Sequence, residues 1–363
     1  MDKKASSGNS IVTSAVTKIT DNLAASTVVA GTVVLAIVIG IVGGPSQIIN
    51  SVVTGGMWAL LAVGLALVFG VMNVPHFAHG ESFMVGAYVA YFVFSPIHRS
   101  LKDNPNAFLS AVAPFLAILA AGGAGLLLGV ILERFLFYPL RLRTKSGWVM
   151  NAFLLTVGIS FIMTNGATLT LGPDFRGIPR YWDVPPLQLG NVRIAVDRII
   201  AFFIAIVSIA ALWFFLRRTR TGTAIRAVSQ DELGAQMMGI NLNFIYPLTF
   251  ALATAMAALS GASLLFMFQA YPTVGLKPLY FAWYVVMLAG LGNVVGAIVG
   301  GFIVAVLQSA TQLFTFTVTV LGEEFQIGGI AWEDVIPTFV MIIVLLVVPS
   351  GIFGSEVKGV QEQ

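Results

Sequence analysis

The chain has 363 residues, of which 58% are hydrophobic and only 10% charged, and its mean hydropathy is +0.92. Soluble domains carry about 25% charged residues, so the composition excludes a soluble domain and points to an integral membrane protein. The net charge of +3 is small and scattered, giving no reason to expect a nucleic-acid partner, and the absence of cysteine excludes disulfides, thiolate metal sites and a cysteine nucleophile.

Residues 1–26 read as a cytoplasmic tail holding Lys3, Lys4 and Lys18. This charged lead is longer than that of a cleaved signal peptide and lacks its small-residue exit, so the apolar run from Thr27 is expected to remain as a crossing. A membrane-spanning helix needs about 20 mainly apolar residues. Full crossings are expected at 27–44, 47–72, 82–97, 107–132, 147–172, 198–216, 244–270 and 335–353, followed by a short tail, 354–363. The loop 133–147 carries Arg134, Arg141, Arg143 and Lys145, and the loop 217–241 carries Arg217, Arg218, Arg220 and Arg226. Arginine and lysine bias places both loops, and both termini, in the cytoplasm.

One region breaks the alternation. The stretch 309–334 has four acids and no Lys or Arg, so it prefers the outside, and so must 271–280. The segment between, 281–308, therefore has to enter and return, with a glycine-rich middle AGLGNVVGAIVGG (289–301) to make the turn. Two half-length helices meeting near Asn293 are expected there, giving an all-α protein of eight full crossings plus two short ones. Gly292, Gly296 and Gly300 have the spacing that lets helix backbones approach closely. Broken helices at membrane depth are tolerated where they are buried in protein or line a wet cavity, so this hairpin either packs tightly or also lines a pathway.

The stretch GVMNVPHFAHGES (70–82) concentrates polar chemistry between two apolar runs. Ionisable groups inside a bilayer are costly and usually face a partner or a cavity, and Glu81 reads as the one acid clearly embedded in an apolar stretch. Either residues 73–81 form a cytoplasmic turn, or Pro75 and Gly80 break the helix at a point recessed in the membrane. The second explains why this loop lacks the arginines of the others. His76 and His79 lie at i, i+3, but with no third ligand beyond Glu81 and no HExxH pattern, no metal site is expected. Asn73, His76, His79, Gly80, Glu81 and Asn293 are the candidate pathway residues. The two segments GVMNVPHFAHGESFMVGAY and GLGNVVGAIVGGFIVAVLQ form a weak internal echo, and paired broken helices in internal repeats are how many transporters build a central site.

The cytoplasmic loop predicts a short helix over 229–239. Ser229 is placed as N-cap with Glu232 as its capping-box partner, Val228 and Leu233 as a hydrophobic staple, Asp231 and Glu232 in the dipole-favoured first turn, and Gly239 after Met238 as the stop. So short a helix is marginal alone. Its acidic first turn disfavours an anionic lipid surface, which leaves docking on another protein. The chain has no GxxxxGK[ST] phosphate loop, no GxSxG and no HExxH, so neither an ATP motor nor a serine or zinc hydrolase is expected within it.

Three motifs make the chain resemble the LivH-type branched-chain amino-acid permease subunits of ABC importers: GVMNVPHFAHGESFMVGAY, TGTAIRAVSQDELGAQMMGIN and LAGLGNVVGAIVGG. The resemblance covers about residues 47–353, which makes that stretch the permease domain and 27–46 an extra N-terminal helix. It implies a translocation path formed with a second permease subunit, related or identical. It also implies two cytoplasmic ATPase subunits that use the ATP, an extracytoplasmic solute-binding protein, and a location in the inner or plasma membrane. No cofactor is expected on the chain itself. The second motif implies a coupling element comprising Gly222, Arg226, Ser229, Asp231, Glu232, Leu233, Met238 and Gly239. His76 stands where the family commonly has asparagine, and Asn73 where glycine is usual. Branched-chain or other amino acids, urea and short amides therefore all stay open as solutes. A secondary transporter or channel would use the same broken helices without ATPases, and a membrane enzyme would need a nucleophile or metal set that the sequence does not offer.

Overall fold

The computed structural model describes residues 25–144, 147–189, 192–320 and 323–354. Lys3, Lys4, Lys18, Lys145 and nearly all of both expected tails lie outside the described residues. The rest is helical, with two small hairpins. In chain order the helices are α1 (Ala25–Val42), α2 (Pro45–Met72), α3 (His79–Asp103), α4 (Ala107–Leu132), α5 (Tyr138–Arg143), α6 (Trp148–Leu171) and α7 (Val196–Arg218). They continue as α8 (Arg220–Gln230), α9 (Glu232–Met237), α10 (Leu242–Ser263), α11 (Leu276–Ala289), α12 (Val294–Leu313) and α13 (Val335–Val347). The antiparallel hairpins are β1 (Leu187–Leu189) with β2 (Val192–Ile194) and β3 (Thr315–Val320) with β4 (Glu323–Gly328).

Eight described helical stretches are long and apolar enough to cross a membrane: α1, α2, α4 continued to Arg143, α6, α7, α10, α12 and Ile330–Val347. α12 is thus among them, and α3, over the expected crossing 82–97, is not. The chain is an all-α integral membrane protein. Its core is built on α2, which packs against α10, α11 and α12, while α10 packs against α3 and α4. Small residues make these approaches possible. A Cβ on Gly301 would stand 2.7 Å from the Ala59 backbone nitrogen, and one on Gly125 would stand 2.8 Å from the Thr254 carbonyl. Polar pairs cross the same interfaces. Ser51 Oγ donates to Ser309 Oγ (2.7 Å), Trp58 Nε1 to Gln308 Oε1 (2.7 Å), and Thr254 Oγ1 to the Gly125 carbonyl (2.8 Å).

The parity-breaking region is a helical hairpin, though not of two half-length helices. α11 is short, 14 residues, but α12 has 20 and is long enough to cross alone. Lys277 at the start of α11 bonds Glu333, just before α13, and Gln312 at the end of α12 donates to the same carboxylate (2.6 Å). Both ends of the hairpin therefore lie at one end of the molecule. Its turn lies at the other end, where Gly292 (φ 79°) meets Gly70 near the end of α2, and Gly290 (φ 101°) meets Gly351 and Gly354 beyond α13. An added Cβ on Gly292 would come 2.7 Å from the Gly70 Cα, so the two echoing motifs touch through glycine backbones.

Candidate functional site

The break after α2 does not sit in a surface turn. Met72 ends α2, yet His79, which opens α3 after the six-residue break, donates from Nε2 to the Leu61 carbonyl at 3.0 Å. Leu61 lies eleven residues back along α2, roughly 16 Å at 1.5 Å per residue. The chain thus climbs beside α2 before α3 begins, so the break is recessed within the protein against α2. α6 fastens the climbing strand. Trp148 Nε1 donates to the Met72 carbonyl (3.3 Å), the Phe77 N–H donates to Thr156 Oγ1 (3.2 Å), and Thr156 Oγ1 lies 3.2 Å from the Pro75 carbonyl and 2.8 Å from that of Phe153.

Asn73 caps the end of α2 in the left-handed region (φ 53°), its N–H donating to the Phe69 carbonyl, and its side chain is exposed. His76 is fully buried against Phe250 (ring centroids 4.7 Å) and Phe137 (6.4 Å), with neither ring nitrogen hydrogen-bonded. His79 is equally buried, 5.6 Å from the His76 ring. Because a carbonyl only accepts, the bond to Leu61 puts the His79 proton on Nε2. Gly80 packs backbone to backbone on Gly275, where an added Cβ would stand 2.6 Å from the Gly275 carbonyl. Glu81 is 3% exposed, and its Oε1 accepts from Ser160 Oγ (2.6 Å) and Thr164 Oγ1 (3.3 Å) of α6. It lies in the first turn of α3, where the helix dipole favours a negative charge. Asn293 caps α12: its Oδ1 accepts from the Gly296 N–H (2.8 Å) and its Nδ2 donates to the Phe353 carbonyl (2.6 Å). The structure brings His76, His79, Gly80 and Glu81 together around α2 and α6, and leaves Asn73 and Asn293 at the end where the glycine turns meet. No three His, Cys, Asp or Glu among the described residues are grouped to hold a metal.

Two further acids are buried. Glu133 is fully buried and paired with Arg141 at 3.3 Å, and Asp197 accepts from the Tyr181 and Trp182 N–H groups (2.8 and 3.2 Å). Glu81 is therefore one of three buried acids among the described residues, since a position next to a charged loop concealed Glu133 and one at a helix start concealed Asp197.

The loop 217–241 differs in register from the helix expected at 229–239. Thr219 caps α8 by accepting from the Gly222 N–H (2.9 Å), and α8 runs through Ser229 to Gln230. Ser229 is not an N-cap; its hydroxyl donates back to the Arg226 carbonyl (2.8 Å). Asp231 is the cap, accepting from the Gly234 N–H (3.0 Å) at the start of α9, which contains Glu232. Asp231 has an extended backbone and a free carboxylate, so it takes the role that a serine already inside a helix cannot. Nor do Val228 and Leu233 form a staple, because Val228 is buried and Leu233 exposed. Gly239 stops the element as expected, with φ 84° after Met238. Gly222 packs on the α7 backbone near Phe215 and Leu216, and Arg226 Nε donates to the Leu216 carbonyl (3.0 Å), so both hold the α7–α8 elbow. Leu233, Met237 and Met238 are left exposed, Met238 at 84%.

The family described as "Branched-chain amino acid transport system / permease component" matches residues 47–345. The chain belongs to this family. It is 28% identical over 313 residues to the high-affinity branched-chain amino acid transport system permease protein LivH of Salmonella typhimurium, covering 85% of this chain and 94% of that one. It is 27% identical to the corresponding BraD protein of Pseudomonas aeruginosa, covering 85% and 95% of the two chains. Similarity extends to the ribose import permease protein RbsC of Escherichia coli, 27% identical over 269 residues, 70% of this chain and 74% of that one. No solved structure matches. The buried histidines and the α8–α9 surface therefore lie in a permease component, and the match begins beyond α1.

Sequence reasoning missed the residues of α6 that hold the break. Thr156, Ser160 and Thr164 recur at four-residue spacing, which puts three hydroxyls on one face of an apolar helix. That spacing was the available signal.

Proposed function

We propose that the chain is a membrane-spanning subunit of an ABC importer for branched-chain amino acids, paired with a second permease subunit, related or identical. Two cytoplasmic ATPase subunits use the ATP, and an extracytoplasmic binding protein delivers the solute. The chain itself is not an enzyme and holds no cofactor. The observation that carries this reading is the α8–α9 surface. In a chain of this permease family, Leu233, Met237 and Met238 stand exposed at the arginine-bearing end of the molecule, and a short exposed apolar helix face suits a groove on a partner. On arginine bias that end is cytoplasmic, and so are both termini.

Reconstitution of the importer with its co-purified subunits tests this. Radiolabelled leucine is expected to accumulate in proteoliposomes only with ATP on the side of the ATPases. Accumulation driven by a proton gradient without ATPase subunits would overturn the reading in favour of a secondary transporter. Competition by isoleucine, valine, urea and short amides then ranks the solutes. Stronger competition by urea than by valine would move the chain to an amide permease.

A further inference from the structure

The candidate pathway side chains His76, His79 and Glu81 are sealed from solvent, so the polar surface a solute meets must be sought elsewhere. α6 carries it. Asn151, Gly158 and Asn165 recur at seven-residue intervals, about two helical turns, and all but the intervening flank of this face is open: Asn151, Leu154, Gly158, Phe161, Ile162, Asn165 and Leu169 are exposed. A Cβ on Gly158 would meet nothing within 4 Å. The Asn165 amide has only a bond within its own helix, Nδ2 donating to the Phe161 carbonyl at 2.8 Å.

The α6 face also exposes apolar side chains, but the exposed mid-helix faces of α4 and α7 hold no asparagine. Along α4 the exposed mid-helix residues are Phe115, Leu116, Leu119, Gly123, Leu126, Leu127 and Val130, and along α7 they are Phe203, Val207, Ala210, Ala211, Trp213 and Phe214. Those faces suit hydrocarbon. An asparagine facing lipid leaves amide groups without partners, which is costly. The hydroxyls that bind the break, Thr156, Ser160 and Thr164, are on the opposite side of α6, so Glu81 fixes which face is turned outward. Asn151 and Asn165 are fourteen residues apart, roughly 21 Å along the axis, a large part of the bilayer's hydrocarbon thickness of about 30 Å. Two separated amides with an open glycine between them offer weak, successive polar contacts rather than one tight site.

We propose that this face of α6 lines the translocation path between the two permease subunits, and that Asn151 and Asn165 are the positions where a small zwitterionic or amide-bearing solute exchanges hydrogen bonds with the protein. The proposal rests on the permease reading above and specifies its path. In this arrangement Glu81 is a positioning residue, and the buried histidines support the break behind the path.

The chain has no cysteine, so single Asn151→Cys, Gly158→Cys and Asn165→Cys variants can be probed in sealed membrane vesicles holding the whole importer. The probe is a charged, water-soluble methanethiosulfonate, with Leu119→Cys on α4 and Val207→Cys on α7 as lipid-facing references. Thiolate is the reactive form and hydrocarbon keeps the thiol protonated, so the α6 cysteines are expected to react about tenfold or more faster than the references. Reaction is expected to stop leucine uptake, and saturating leucine to slow the labelling. Labelling at the reference rate, with uptake by the cysteine-free chain intact, overturns the proposal and makes the face lipid-exposed. Ready disulfide or short cross-linking between permease subunits without reagent labelling also overturns it, in favour of a dry contact. Absence of uptake by the cysteine-free chain itself would count instead against the permease reading.

Discussion

Asn73 is the one described non-glycine residue with a positive φ, and its position explains its chemistry. The left-handed region costs most side chains about 1–2 kcal/mol, while Asn and Gly visit it readily. Asn73→Gly is therefore expected to leave thermal stability and uptake unchanged, whereas Asn73→Val should destabilise by about 1–2 kcal/mol, read as a lowered melting midpoint in detergent. If Asn73→Gly alters solute preference instead, the exposed amide is touching solute. Glu81 makes the complementary case. Glu81→Gln retains an acceptor for Ser160 and should preserve assembly, while Glu81→Leu leaves Ser160 and Thr164 without their acceptor and should loosen α6. The cluster of His76, His79, Gly80 and Glu81 was legible in the sequence, because polar groups in an apolar run stand out. Its role was less legible: burial depends on α6 and α10, which lie far along the chain and supply Ser160, Thr164 and Phe250.

At the scale of elements, the sequence announced a capped cytoplasmic helix but misplaced its start by two residues, since Ser229 and Asp231 are both good caps by type. Only the backbone decides, and Asp231 is extended (φ −155°) where Ser229 is helical. Asp231→Ala is thus expected to cost about 1 kcal/mol, and Ser229→Ala close to nothing, a contrast that hydrogen exchange of the Gly234 amide can read. Leu233→Asp and Met238→Asp alter exposed side chains, so insertion and melting should be unchanged while ATP-driven uptake falls; normal uptake in both would remove the docking role. Behind this surface lies a line of contacts. Arg141 stacks on Tyr246 (4.4 Å) and pairs with Glu133 at the start of a π-helical turn, Glu133–Phe137. Phe137 in turn meets Phe250 (4.9 Å) and His76. Stripping one partner from a buried ion pair costs about 3–5 kcal/mol, so Arg141→Ala should lower stability far more than Arg143→Ala, whose side chain pairs with no described acid.

For the molecule as a whole, alternation of charge foretold that 281–308 must return to the side it left, and the meeting of Lys277, Gln312 and Glu333 at the two ends of the α11–α12 hairpin has that geometry. Lengths were harder to read, because glycine-rich LGNVVGAIVGG looks like a broken middle although Gly301 lets α12 pack on α2 at Ala59 and Gly300 lets it pack on α11 at Val285. α1 has the opposite character. Ile39 is its only fully buried large side chain, while Val33, Val34, Ile37 and Ile41 are exposed, and the family match begins at residue 47, beyond it. A helix that contributes so little buried surface adds little to the fold's stability. A chain beginning at Gly44 is therefore expected to insert, to melt close to the full-length protein, and to support leucine uptake. Its orientation should also persist, because the arginines of the loops after α4 and α7, whose bias assigns those loops to the cytoplasm, remain in place. A cysteine at Ser229 should label from the cytoplasmic side and one at Gln326 from the outside, in the full chain and in the shortened one alike. If the shortened chain instead labels Ser229→Cys from outside, α1 and its lysine-bearing lead set the topology. If both chains label Gln326→Cys from the cytoplasm, the charge argument fails for the whole molecule, and the α8–α9 surface would lie on the side where no ATPase can reach it.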